Sequence, residues 1–162
     1  MELSELEKKY KELGEEIERF KKEQSKKIKV WKPKEKEPFW LMDSTGDTAF
    51  GTWSDSTTIH KTMFELGNCF KTKSEAESVS EKIKIYTKLK RLAEEINTEP
   101  IDWKNVVQEK FYIYYDCDKN KIDAFYYTNC KDIGQIYCTN KNFLKTALEQ
   151  IGEENLLKLF KE

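Results

Sequence analysis

Apolar residues recur at spacings of three and four through the first twenty residues, which is the period of an amphipathic helix with a heptad seam. Glutamate and lysine fill most of the flanking positions, and the period ends before Gln24. A seam shorter than three heptads makes a helix that is marginally stable alone. We therefore expect a helix over residues 1–25 that packs either on a second copy of itself, as a homodimer, or on another helix of the same chain. The seam residues are Leu3, Leu6, Tyr10, Leu13, Ile17 and Phe20.

Residues 26–38 have no apolar period and contain Pro33 and Pro38, which predicts an extended linker. The tract from Lys21 to Lys36 is rich in lysine and includes a tryptophan, so it could neutralise phosphates while the indole stacks on a nucleic-acid base. The alternative is a linker whose lysines face water and whose tryptophan anchors on the β-rich region that follows. The candidate nucleic-acid-binding residues are Lys26, Lys27, Lys29, Trp31, Lys32 and Lys34.

Residues 39–97 alternate short apolar runs with turn residues and end in a long helical period. Thr72 and Glu75 form the T-x-x-E pattern of a capping box, so we expect Thr72 to cap this helix. Pro100 marks the end of the helix. The expected elements are strands 39–42, 48–53 and 67–71, a polar loop 54–62 that contains His60, and a helix that ends near residue 96.

Residues 98–162 show the same order of elements, with expected strands at 111–115, 122–128 and 134–138 and a helix capped by Thr139. The segment Gly67-x-x-Phe70-x-Thr72 matches the segment 134–139 at an offset of 67 residues. Glycine before a strand and threonine at a helix start are common, so the match also has a trivial explanation; two units fall short of a solenoid. We predict an α+β protein: an N-terminal heptad-patterned helix, then two β-hairpin–strand–helix units with small antiparallel sheets.

Tyrosine is dense in the second unit, where an exposed excess of tyrosine would make a recognition surface because the ring is apolar with a polar tip. One face of a small sheet must be core, so about half of these rings are structural. The candidate partner-binding residues are Tyr112, Tyr114, Tyr126 and Tyr127.

No residue cluster carries a catalytic or metal-binding signature, so we expect neither an enzyme nor a cofactor. The run Asp116-Cys117-Asp118-Lys119-Asn120 begins like a calcium loop, but Lys121 and Tyr127 stand where glycine and glutamate are needed, and a hairpin turn explains the run. The four cysteines contain no C-x-x-C pair, and the one histidine, His60, is far from all of them. We expect free thiols and a solvated histidine.

Composition and the N-terminal pattern restrict where the protein is expected and what it is expected to bind. The 162 residues have a net charge of −1 and no run of 18 apolar residues, which predicts no membrane span and no global attraction for nucleic acid. The N-terminus is acidic and periodic, unlike a basic signal peptide, so we expect the protein in the cytosol.

The segments around Trp31-Lys32-Pro33, from Gly67 to Glu77 and from Leu89 to Asn97 give the pattern W-x-P, G-N-x-F-x-T-x-x-E-A-E and a long helix. In this pattern the chain resembles small accessory proteins carried by phages and prophages of low-GC Gram-positive bacteria. It departs from the pattern at Lys36-Glu37-Pro38, where glycine is expected near the first strand. The resemblance implies a setting in which small proteins without catalytic motifs bind host machinery, as anti-CRISPR and other anti-defence inhibitors do.

The leading hypothesis is therefore a non-enzymatic binding protein that inhibits or modulates a host protein, such as a defence nuclease complex, by occupying its surface in the host cytosol. The alternatives are a nucleic-acid or nucleotide-binding module that uses the basic tract, and a structural protein that oligomerises through the N-terminal helix.

Overall fold

In a computed structural model, which describes residues 3–25 and 30–161, the chain divides into two compact units, residues 1–32 and 33–162. The mixed α and β content expected from the sequence is confirmed, with strands in two separate two-stranded antiparallel sheets. None of the helices in the described ranges has the length and hydropathy needed to cross a bilayer. The elements are α1 (Leu3–Ser25), β1 (Pro38–Met42), β2 (Thr48–Thr52), α2 (Thr58–Glu65), α3 (Lys73–Ile96), β3 (Lys110–Asp116), β4 (Lys121–Tyr127), α4 (Phe143–Gln150) and α5 (Glu153–Lys158).

The first unit is built on α1, which covers the predicted N-terminal helix. Three residues of the heptad seam have described side chains, and all are exposed: Tyr10 by 77%, Leu13 by 54% and Ile17 by 46%. The apolar stripe of α1 therefore faces solvent at its centre.

The second unit begins at Pro33, which is buried. The N–H of Lys36 donates to the carbonyl of Trp53 at 2.9 Å, and the N–H of Trp53 donates to the carbonyl of Glu37 at 2.9 Å. The last six residues of the predicted linker are thus fixed to the end of β2 and belong to the folded unit.

The expected strand 67–71 is wrong. It is reduced to one antiparallel bridge between Phe70 and Trp40 of β1. Next to the bridge, the side-chain amide of Asn68 accepts from the N–H of Met42 and donates to its carbonyl, both at 2.7 Å. A side chain therefore takes the place of the next backbone pair. Gly67, where the strand was expected to begin, has a φ of +73° and so lies outside the β region.

The expected polar loop 54–62 is also wrong in its second half, where α2 forms. The helix places the ring of His60 against Phe39 and Trp53, at ring-centroid distances of 5.4 and 5.6 Å respectively. The Nδ1 atom of His60 accepts the N–H of Ser54 at 3.0 Å. His60 is half-buried in an aromatic cluster instead of solvated, because the apolar side of the short helix packs on the first hairpin.

The helix α3 begins as expected, with a complete capping box between Thr72 and Glu75. It packs against both hairpins. Near its start, the hydroxyl of buried Ser80 donates to the carbonyl of Gly46 in the β1–β2 turn. Farther along, it contributes to the main apolar core, which consists of Leu89, Leu92, Ala93, Ile113, Ile122, Ile136, Cys138, Phe143, Ala147 and Leu156.

The expected strand 134–138 is wrong in the same way as 67–71, since only Cys138 pairs with a strand, at Phe111 of β3. The expected cap at Thr139 is wrong as well, because α4 begins at Phe143 with Asn142 as its N-cap residue. Thr139 instead receives the N–H of Thr98 on its hydroxyl at 3.1 Å and donates its own N–H to Asn97 at 2.8 Å. Thr139, which was expected to start a helix, therefore forms hydrogen bonds with the residues that follow α3.

Candidate protein-binding surface

The candidate surface lies on the β3–β4 hairpin. Successive side chains of a strand point to opposite faces, and Ile113 and Ile122 point into the core. The antiparallel register pairs Tyr112 with Phe125 and Lys110 with Tyr127. The opposite face, here called the outer face, consequently carries Lys110, Tyr112, Tyr114, Asp123, Phe125 and Tyr127.

One end of the outer face is covered by other aromatic residues. The rings of Tyr112 and Tyr127 stack at 5.0 Å, and buried Tyr137 lies 5.8 Å from Tyr112. Trp103 packs edge-on against Tyr137 at 4.9 Å. Burial, followed by a hydrogen bond with Tyr127, raises the pKa of Tyr112 above that of a free tyrosine. Tyr112 and Tyr127 are half-buried parts of this aromatic cluster, so they stabilise the fold.

Lys110 lies beneath the same end of the outer face and is fully buried. Its Nζ atom donates to the carbonyls of Asn105, Gln108 and Thr128 at 2.8, 2.9 and 2.8 Å. The Trp103 ring lies 5.4 Å from the same ammonium group. Sequence analysis missed this role, because a lysine at the start of a strand gives no signal that three carbonyls will converge on it.

The other part of the hairpin leaves aromatic surface open to solvent. Phe125 is 53% exposed and Tyr126 is 40% exposed, and their rings stack at 5.5 Å. Tyr126 belongs to the core-side face, where its ring packs on Phe111 at 5.6 Å. The structure thus brings Tyr112, Tyr114 and Tyr127 to one face and places Tyr126 on the other, while the most exposed ring of this hairpin is that of Phe125.

Sequence analysis missed Phe125 as a candidate because it considered tyrosine alone. The available signal was its position between Ala124 and Tyr126 in the same aromatic run, opposite Tyr112 in a hairpin. We name Phe125 and Tyr126 the β4 aromatic pair.

The edge of β4 that faces away from β3 has no strand beside it within the described residues. On β3, the outward backbone groups are those of Phe111, which bond to Cys138, and of Ile113, whose carbonyl receives the amide of Gln135 at 3.0 Å. Alternation then makes Ile122, Ala124 and Tyr126 the outward positions of β4. The Ala124 N–H donates to the Asp123 carboxylate at 2.9 Å, which partly protects this edge.

The structure gives a partial picture of the basic tract. Lys26, Lys27 and Lys29 lie outside the described residues. Lys32 and Lys34 are exposed, and Trp31 is half-buried. Their role in nucleic-acid binding stays a prediction.

The chain was also compared with known proteins. No protein-family model, no curated protein and no solved structure matches it. The resemblance to phage accessory proteins therefore stays a prediction from the motifs quoted above.

Proposed function

We propose that this protein binds another protein through the β4 aromatic pair and the adjoining edge of β4, and that it acts by occupying its partner's surface. The exposure of two stacked rings, Phe125 at 53% and Tyr126 at 40%, is the observation that carries the proposal. Aromatic residues are enriched at the energetic centres of protein interfaces, because a rigid ring gains much apolar contact for little lost freedom.

Charges near this surface are already compensated. Lys121 and Asp123 form an ion pair at 2.7 Å, and Lys119 and Asp116 form another at 3.0 Å. Because these charges neutralise one another, binding here depends on apolar contact and on backbone hydrogen bonds. A partner segment in extended conformation fits both requirements, since it can pair with the outward groups of β4 while its side chains meet the rings.

The proposed partner is a host protein, and the proposed effect is inhibition or modulation of its activity. Support for this comes from the exposed aromatic pair together with the sequence pattern that resembles small phage accessory proteins. A host defence protein such as a CRISPR nuclease complex is the first candidate to test.

The experiment compares the full chain with the double variant Phe125→Ala/Tyr126→Ala in affinity purification from host lysate, followed by binding measurements with each recovered protein. The variant should lose the specific partner and weaken its binding by at least about a hundredfold, as expected for two interface aromatics. The matched control is Phe50→Ala, which removes a 60% exposed ring from β2 of the other hairpin.

Retention of the same partner with unchanged affinity by the double variant would rule out the β4 aromatic pair as the contact. Salt-dependent binding to oligonucleotides that survives the double variant and is lost when Lys32 and Lys34 are changed to alanine would assign the function to the basic tract instead.

A further inference from the structure

The exposed stripe of α1 carries the further inference. Tyr10, Leu13 and Ile17 are 77%, 54% and 46% exposed and lie along one side of a helix of 23 residues. A stripe of apolar residues at heptad spacing is the pattern that buries itself against a second helix. The protein-binding surface on β4 makes no use of this stripe, so its role is a separate question.

We propose that α1 pairs with α1 of a second copy of this chain in an antiparallel coiled coil. In the heptad, Leu3, Tyr10 and Ile17 occupy a positions, and Leu6, Leu13 and Phe20 occupy d positions. An antiparallel pair centred between Tyr10 and Leu13 brings each a residue opposite a d residue of the other helix. All six seam positions then have a partner in the second copy.

The sizes of the seam residues favour this orientation over a parallel one. In the antiparallel pair, Tyr10 of each copy faces Leu13 of the other. The bulky ring therefore meets an aliphatic side chain in both central layers, which is how a helix interface fills its space evenly. A parallel pair in register would instead place Tyr10 on Tyr10 and Leu13 on Leu13, with a wide layer beside a narrow one.

Charges beside the seam complement each other in the antiparallel pair. Lys9 and Glu16 both occupy g positions, are exposed, and flank the central layers. In an antiparallel coiled coil the g positions of the two helices lie next to each other, so Lys9 of each copy meets Glu16 of the other. In a parallel pair, Lys9 would meet Gly14, and Glu16 would meet Lys21.

The test is sedimentation equilibrium of the full chain over a wide range of concentrations and at low salt. Wild type should show a monomer–dimer equilibrium. Either Lys9→Glu or Glu16→Lys should weaken dimerisation about tenfold, because each reversal turns two attractions into two repulsions of ordinary surface strength. The double variant Lys9→Glu/Glu16→Lys should regain the wild-type affinity, because it restores both pairs with the signs exchanged.

The matched control is Glu15→Lys, which makes the same charge change at the neighbouring f position, away from the partner, and should leave dimerisation unchanged. A wild-type chain that stays monomeric at every concentration would overturn the proposal. A parallel dimer would also overturn it, and would show itself by a Lys9→Glu variant that dimerises normally and a double variant that fails to recover.

Discussion

The two hairpins share a plan of attachment and differ in what is packed against them. In each, a glycine with positive φ, Gly67 or Gly134, precedes a side-chain amide that bonds to the first strand of the hairpin. A residue shortly after each amide, Phe70 or Cys138, forms one isolated bridge to the same strand. The strand residue in each bridge pairs with an aromatic residue of the second strand. These cross-strand pairs are Trp40 with Phe50 at 5.4 Å and Phe111 with Tyr126 at 5.6 Å.

The packing on the two hairpins is different. An aromatic cluster packs against the first hairpin, in which Phe39 and Trp53 are 1% exposed and His60 contacts both rings. The main apolar core, which includes Phe143 and Leu156 and is mostly aliphatic, packs against the second hairpin. The outer face of this hairpin carries a further aromatic cluster beside Lys110. The two hairpins are therefore attached in a similar way locally, while the core that stabilises each one is assembled from different parts of the chain.

The comparison is tested most strongly by removing one buried ring from each core. Phe143→Ala and Phe39→Ala should each lower the free energy of unfolding by roughly 3–5 kcal/mol, because both rings leave a cavity. Since α3 contacts β1 and β2 and shares the main apolar core with β3 and β4, both variants should unfold in one cooperative transition at reduced temperature, measured by calorimetry. Two separate transitions in the Phe39→Ala variant would show that the hairpins are energetically independent.

A smaller effect is expected from Lys110→Met, which addresses the cluster present on the second hairpin alone. The substitution removes the ammonium donor from three carbonyls and should lower the free energy of unfolding by about 2–3 kcal/mol, measured by urea denaturation. Lys121→Met is the matched control on the same hairpin. Its ammonium group is in a half-exposed ion pair, so the loss should be below about 1 kcal/mol. Equal losses for the two lysines would contradict the structural role of Lys110.

The smallest effects concern the amides that attach each hairpin. Asn68→Ala removes two hydrogen bonds of 2.7 Å and should lower the free energy of unfolding by about 2 kcal/mol. Gln135→Ala removes one bond of 3.0 Å and should cost about 1 kcal/mol in the same denaturation experiment. The reverse order would contradict the expectation that the loss follows the number of hydrogen bonds each amide makes.

The elements with strong local signals were predicted well. The capping box at Thr72 and Glu75 and the apolar stripe that follows fixed the start of α3, and the turn residues between the aromatic runs fixed both hairpins. The third strand of each unit was overpredicted, because a short apolar run resembles a strand even when only Phe70 or Cys138 pairs. The helix α2 was missed, because polar residues around His60 hid a short helix that packing stabilises.

The candidate site was predicted in part, for a related reason. The sequence showed an aromatic hairpin with Tyr112, Tyr114, Tyr126 and Tyr127 as candidates, and the observed register places Tyr126 on the opposite face from the other three. Alternation could not show that Trp103 and Tyr137 cover one end of the outer face, since these residues come from outside the hairpin. Which ring stays exposed depends on these distant contacts, and they leave Phe125 open to solvent.

By itself, the sequence of this protein determined its periods, caps and turns: the helix with the heptad seam, the two hairpins, and the long helix between them. These features follow from interactions among residues close in the chain, which a pattern of spacing records. The tertiary structure alone decided that Lys110 is buried and donates to three carbonyls, and that His60 packs in an aromatic cluster. It also decided that the exposed aromatic surface of β4 is Phe125 with Tyr126. Burial depends on contacts between residues far apart in sequence, and no local pattern encodes which of several similar rings those contacts will cover.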